Sequence, residues 1–236
     1  MKEVKKEIYG TRDSVIAKHF IDNQIKFIKN IWFVTCRRAI NSDRDTRYLV
    51  LLENDETIDL NIFFENIPVY RVFFSEKSID VTNVRKNESR SFSGTEFKNW
   101  IIDKTCCKFI KSYASGSTSS TKLSIFFREN MGKGFSLSDV DFFITNKSVF
   151  IEEKQFIEGD KGYLGEGQFY TFREIQNDIC KNIDFHIILN DNDIFYLVEF
   201  SSINQSRFRI LPRWGKMIEY DIGPKLTIGE ILNKYS

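Results

Sequence analysis

Val140-Asp141-Phe142-Phe143-Ile144-Thr145 and Ser148-Val149-Phe150-Ile151-Glu152-Glu153-Lys154-Gln155-Phe156 are two largely apolar runs joined through Asn146-Lys147. Short runs rich in Phe, Ile and Val around a two-residue connection predict a β-hairpin, and Asn146 tolerates the positive φ that a tight turn needs. Each run also carries charge where burial is expected: Asp141 in the first, Glu152, Glu153 and Lys154 in the second. An ionised side chain survives in apolar surroundings only when a counter-charge, a set of hydrogen bonds or a metal offsets its lost hydration. The plainer reading is a surface hairpin with an ordinary Glu-Glu-Lys run.

A symmetric hairpin closed by Asn146-Lys147 sets Asp141 opposite Glu152 and Asp139 opposite Lys154. Side chains alternate along a strand, so these four share one face while Glu153 and Gln155 point to the other. Opposed Cβ atoms lie about 5 Å apart. Two carboxylates at that spacing repel unless a cation sits between them, and hard oxygen ligands suit Mg2+ or Mn2+.

On the C-terminal side, Phe169, Phe172, Ile175, Gln176 and Ile179 recur at helical spacing and predict a helix near 165–181. Phe185–Leu189 and Ile194–Phe200 predict strands paired across Asn190-Asp191-Asn192-Asp193, and a last helix is expected near 226–234. On the N-terminal side, Leu123, Phe126 and Phe127 mark a short helix stopped by Gly132 and Gly134. The tract Ser115-Gly116-Ser117-Thr118-Ser119-Ser120 before it is the best linker candidate.

Further upstream, Phe97, Trp100, Ile101 and Ile110 predict a helix, and Val15, Ile16, Phe20, Phe27 and Ile28 predict another over 13–29. Ile31–Val34, Tyr48–Leu52, Ile58–Ile62 and Val69–Phe73 predict an antiparallel sheet, and 76–93 reads as a polar connection. The expected class is α/β (α+β). The expected division is 1–115, a helix plus antiparallel β region, and 116–236, the core that carries the charged hairpin.

The chain has 236 residues, 42% of them hydrophobic, enough to bury a sizeable core. Its 34 Lys and Arg against 33 Asp and Glu leave a net charge of +1, so any basic surface must be local. Arg37, Arg38, Arg44 and Arg47 form one such cluster. Arg207, Arg209, Arg213 and Lys216, interleaved with Phe208 and Trp214, form a second that suits phosphate or base contact, although a solvated edge strand explains it equally. Cys36, Cys106, Cys107 and Cys180 make no CxxC pair, and His19 and His186 are the only imidazoles, which argues against a zinc site. Scattered thiols, and no apolar stretch of membrane length, lead to the expectation of a soluble cytoplasmic protein with no membrane partner.

An Asp ahead of an apolar strand, then Glu-x-Lys closing the next, resembles the PD-(D/E)XK nuclease superfamily, which includes restriction enzymes, resolvases and repair nucleases. The match spans about residues 120–200, where helix, strands, helix and strands follow in that family's order; Val140 stands where the family often has Pro. The resemblance implies a restriction-endonuclease-like mixed sheet flanked by helices. It implies that Asp141 and Glu152 hold the metal with the backbone carbonyl of Glu153, and that Lys154 orients or activates the attacking water and neutralises the transition state. Asp139 rivals Asp141 as first acid; Asp141 is preferred because Phe142, Phe143 and Ile144 follow it directly. Gln155, Gln168 and Glu129 are accessory candidates.

These readings lead to the expectation of an Mg2+- or Mn2+-dependent DNA endonuclease, of the type II restriction kind, acting on duplex DNA. Its N-terminal part would supply recognition or homodimer contacts. The alternative is a non-catalytic nucleic-acid-binding or protein-interaction module that keeps a nuclease-like fold.

Overall fold

The computed structural model describes residues 14–36, 48–53, 67–105, 121–131, 135–155, 159–179, 183–191, 193–211 and 215–236. In chain order come helix α1 (Val15–Asp22), strands β1 (Phe27–Ile28), β2 (Ile31–Cys36), β3 (Tyr48–Leu52), β4 (Val69–Phe74), β5 (Ile79–Asn83) and β6 (Glu88–Phe92), then helices α2 (Gly94–Thr105) and α3 (Lys122–Asn130). Strands β7 (Phe135–Val140), β8 (Phe142–Ile144), β9 (Val149–Gln155) and β10 (Lys161–Gly165) lead to α4 (Glu166–Glu174). A π-helical turn (Ile175–Ile179) follows, then β11 (Asp184–Asp191), β12 (Ile194–Glu199), β13 (Phe208–Leu211), β14 (Gly215–Asp221), β15 (Lys225–Leu226) and α5 (Ile228–Tyr235). Mixed sheets flanked by helices make this an α+β fold. Among the described residues no helix is long and apolar enough to cross a membrane.

The chain forms two compact units, one of Met1–Asp13 with Ile31–Asp139 and one of Ser14–Asn30 with Val140–Ser236. This division departs from the expected cut between 115 and 116. Helix α1 buries Ile16, Ala17 and Phe20 against Phe142, Ile144, Val149 and Ile151, so it belongs with the C-terminal strands. Helix α3 instead packs Leu123, Phe126 and Phe127 against the core of the first unit. The Ser115–Ser120 tract, Ile58–Ile62, Gly132 and Gly134 lie outside the described residues.

The first unit holds a sheet of order β6-β5-β4-β3-β2-β7. Its apolar face, with Trp32, Val34, Leu49, Leu51 and Val72, is covered by Phe97 and Ile101 of α2 and by Leu123 and Phe127 of α3. The sheet is not wholly antiparallel as expected, because β3 and β4 run parallel. Residues 79–92, read as polar connection, form the antiparallel pair β5–β6 at the sheet edge. Cross-strand polar contacts such as Thr82 Oγ1 to Ser89 Oγ, 2.8 Å, replace apolar ones there.

The second unit is built on a sheet of order β1-β8-β9-β11-β12-β15, in which β9 and β11 are parallel. Helices α1 and α5 cover one face through Phe20, Ile231 and Tyr235. Phe150, Phe185, Phe172 and Phe200 form a continuous aromatic layer on the other, beneath α4. The helix expected over 13–29 stops at Asp22 because Gln24 turns left-handed (φ 57°), which frees Phe27 and Ile28 to pair with Ile144 and Phe143. A separate three-stranded sheet, β10-β14-β13, contains the 207–216 segment.

The hairpin keeps the expected register: Phe142 faces Ile151, Phe143 faces Phe150 and Ile144 faces Val149. Its connection is longer than the two residues expected. Thr145–Ser148 form the turn, and Ser148 (φ 52°), not Asn146, takes the left-handed conformation.

Candidate active site

Strand β9 alternates between two environments. Val149 and Ile151 join the α1–α5 side, and Phe150 joins the aromatic layer under α4. Glu152 therefore points to the α4 side, where it is buried to 4% exposure. Its Oε1 receives the Lys154 ammonium and the Gln168 amide, the latter at 2.6 Å. Lys154, two residues on and on the same face, is 29% exposed, so the pair sits at the mouth of the core with the carboxylate on the inner side. Gln168 reaches it because α4 starts at Glu166, directly after β10, and presents its first turn to β9.

Asp141 occupies a bend one residue before β8. The β8–β9 ladder ends at the Phe142–Ile151 pair, which leaves the Glu153 N–H without a strand carbonyl from β8. Asp141 Oδ2 accepts that N–H at 2.7 Å. The side chain thus finishes the ladder and is fixed beside the backbone of Glu152 and Glu153.

Glu153 faces the opposite side, as strand alternation requires. Ser14 Oγ donates to its Oε2, and Asn190 Nδ2 approaches Oε1 at 3.4 Å. Ser14 also caps α1, accepting the Ala17 N–H at 3.0 Å. The Glu153 side chain accordingly ties α1 to the sheet.

The remaining candidates are divided between the two units. Asp139 is in β7, a strand of the first unit, and the ladder that was expected to set it opposite Lys154 does not extend so far. Glu129 is exposed on α3 of the first unit. Gln155 closes β9 in register with Asn190.

Of the basic segment, Arg207 pairs with Asp221 at 2.6 Å, Arg209 donates to the Tyr163 hydroxyl at 3.0 Å, and Lys216 pairs with Glu166 at 2.5 Å. Lys216 also lies 4.6 Å from the Phe208 ring centroid. Arg213, Trp214 and the Arg37–Arg47 cluster fall outside the described residues. Exposed ion pairs of this kind contribute little stability.

Among the described residues no group of three or more His, Cys, Asp and Glu side chains is placed to hold a metal ion. The set suggested by the hairpin is smaller: two carboxylates, Asp141 and Glu152, and the Glu153 carbonyl. Its donors are all hard oxygens, which fits Mg2+ or Mn2+ with water completing the shell. One further residue was not anticipated. Burial raises the pKa of Tyr220, on β14, with Lys154 and Glu152 acting on it in opposite directions. No protein-family model matches the chain, and no curated protein or solved structure matches it at a significant level.

Proposed function

We propose that this chain is a divalent-metal-dependent nuclease that hydrolyses phosphodiester bonds in DNA. The observation that carries the reading is the convergence of Lys154 and Gln168 on the buried Glu152 carboxylate, with Asp141 accepting the backbone N–H of the next residue, Glu153. A buried charge cluster built from two strands and a helix start is costly to assemble, and such clusters concentrate where chemistry is done. Asp141, Glu152 and the Glu153 carbonyl would hold the ion. When bound, it would act as a Lewis acid on the phosphate and supply an activated water.

The chain's own residues do the rest. Lys154 leaves the Glu152 oxygen to neutralise charge that develops on the phosphate or to hold the attacking water. Gln168 keeps Glu152 oriented while Lys154 moves. Arg207, Arg209 and Lys216, on an exposed hairpin beside Phe208, are suited to contact the sugar-phosphate backbone. Duplex DNA as substrate, a homodimer for two-strand cleavage, a restriction-like role and a cytoplasmic setting complete the proposal. The test is incubation with plasmid and with single-stranded DNA in Mg2+, Mn2+ or EDTA. Cleavage in either metal that EDTA abolishes supports the reading; inertness in both metals on both substrates leaves only the non-catalytic module.

A further inference from the structure

The first unit holds a cleft of about 180 Å3 between the C-terminal half of α2 and strands β4, β5 and β6. Its aromatic wall is Tyr70, Phe92 and Trp100. Between ring centroids, Trp100 meets Tyr70 edge to face at 4.8 Å, Phe97 stacked at 5.6 Å and Phe92 at 5.8 Å. The indole is thus held by three neighbours, yet the residue is only half-buried.

Three cations share the cleft. Arg90 is in register with Val81, a buried residue beneath α2, so its side chain leaves the sheet on the α2 side. Lys104 follows Trp100 by one turn on the same face of α2. Lys86 sits in the β5–β6 turn, which Asn83 Oδ1 fixes by accepting the Arg85 and Lys86 N–H groups at 3.0 Å each. All three cations are exposed and make no ion pair among the described residues. Glu88 also lines the cleft, so three positive charges stand there against one negative.

A cavity of this size is below the roughly 300 Å3 at which sites for whole drug-sized ligands begin, and it takes one planar ring system. Three cations exceed the need of a single phosphate. Their spread over a turn, a strand and a helix suits a chain that carries phosphates on both sides of that ring.

We propose that this cleft binds one unpaired base of a DNA strand, with the base against Trp100 and the flanking phosphates on Lys86, Arg90 and Lys104. Stacking accepts any base, so the site grips single-stranded DNA without reading its sequence. The inference concerns binding alone and does not rest on the nuclease reading. It is tested in EDTA, where no metal-dependent cleavage occurs.

A short fluorescein-labelled oligothymidylate is titrated with the full chain, beside an abasic strand of equal length and charge. The base-bearing strand is expected to bind about tenfold more tightly. Equal affinities reduce the cleft to a basic surface and overturn the inference. The triple variant Lys86→Ala/Arg90→Ala/Lys104→Ala changes only exposed side chains and leaves the core intact. It is expected to bind the oligothymidylate at least about tenfold more weakly, with a shallower salt dependence; wild-type affinity overturns the inference. A strand carrying iodouracil locates the base. Irradiation is expected to cross-link it to Tyr70, Phe92 or Trp100, and cross-links confined to other residues, or none, overturn the inference. Binding as expected, together with inertness in Mg2+ and Mn2+, sinks the nuclease reading and supports this one.

Discussion

Glu152 sets the energetics of the site because its carboxylate is deep and receives both the Lys154 ammonium and the Gln168 amide. The two ends of the Glu152–Lys154 pair are not equivalent. Lys154→Ala takes an ammonium away from a buried carboxylate and is expected to cost on the order of 1–3 kcal/mol. Glu152→Gln leaves no charge in the interior, since Lys154 reaches water, and is expected to cost less than about 1 kcal/mol. Urea denaturation of the two variants checks this, and the reverse order would contradict the burial argument. The register of the hairpin, with Phe142 opposite Ile151, was legible because strand alternation and a short connection leave little freedom. The preference for Asp141 over Asp139 had only the following Phe-Phe-Ile run behind it. The contact of Asp141 Oδ2 with the Glu153 N–H, 2.7 Å at the end of the ladder, was not legible there. Tyr220 was not legible, because its place depends on a glycine far away in sequence.

At the level of elements, two contacts in the second unit make distinct predictions. The β10–β14 crossing depends on Gly162, so Gly162→Ala forces a Cβ against the Tyr220 ring, which has no room to move. A loss of about 1–3 kcal/mol is expected in a thermal melt, typical of overpacking. The β11–α5 contact contains His186, buried, with Nδ1 2.7 Å from the Tyr235 hydroxyl. Burial first, then Lys234, lower its pKa from 6.5 to about 4 against the opposing influence of Asp184 and Glu199. The native state thus binds this proton less readily than the unfolded chain. Its contribution is fully present above about pH 6.5 and is lost as pH falls through about 4, on the order of 3 kcal/mol in all. His186→Gln, which retains a partner for Tyr235, is expected to flatten stability across that window; an unchanged pH slope would contradict the assignment. The strongly apolar strands β2, β3, β9, β11 and β12 were readable from composition. Strands β5 and β6 were not, because polar cross-strand pairs at a sheet edge carry no apolar alternation. Strand β10, with glycine at both Gly162 and Gly165, offers no strand propensity to detect.

For the whole molecule, linear order misled where packing decided. Residues 14–30 are flanked in sequence by the two stretches of the first unit yet complete the second, a long-range choice that periodicity within α1 does not encode. A fragment of residues 116–236 accordingly lacks the α1 cover over Phe142, Ile144 and Ile151. It is expected to show no cooperative melt and to bind a hydrophobic dye, whereas a cooperative transition would contradict the discontinuous unit. The central claim is that the buried cluster on β9 carries out metal-dependent hydrolysis of DNA. It is tested most directly by plasmid cleavage in Mg2+ with wild type beside Glu152→Gln and Lys154→Ala. The account predicts cleavage by wild type and losses of at least about a hundredfold in both folded variants; equal rates in all three would contradict it.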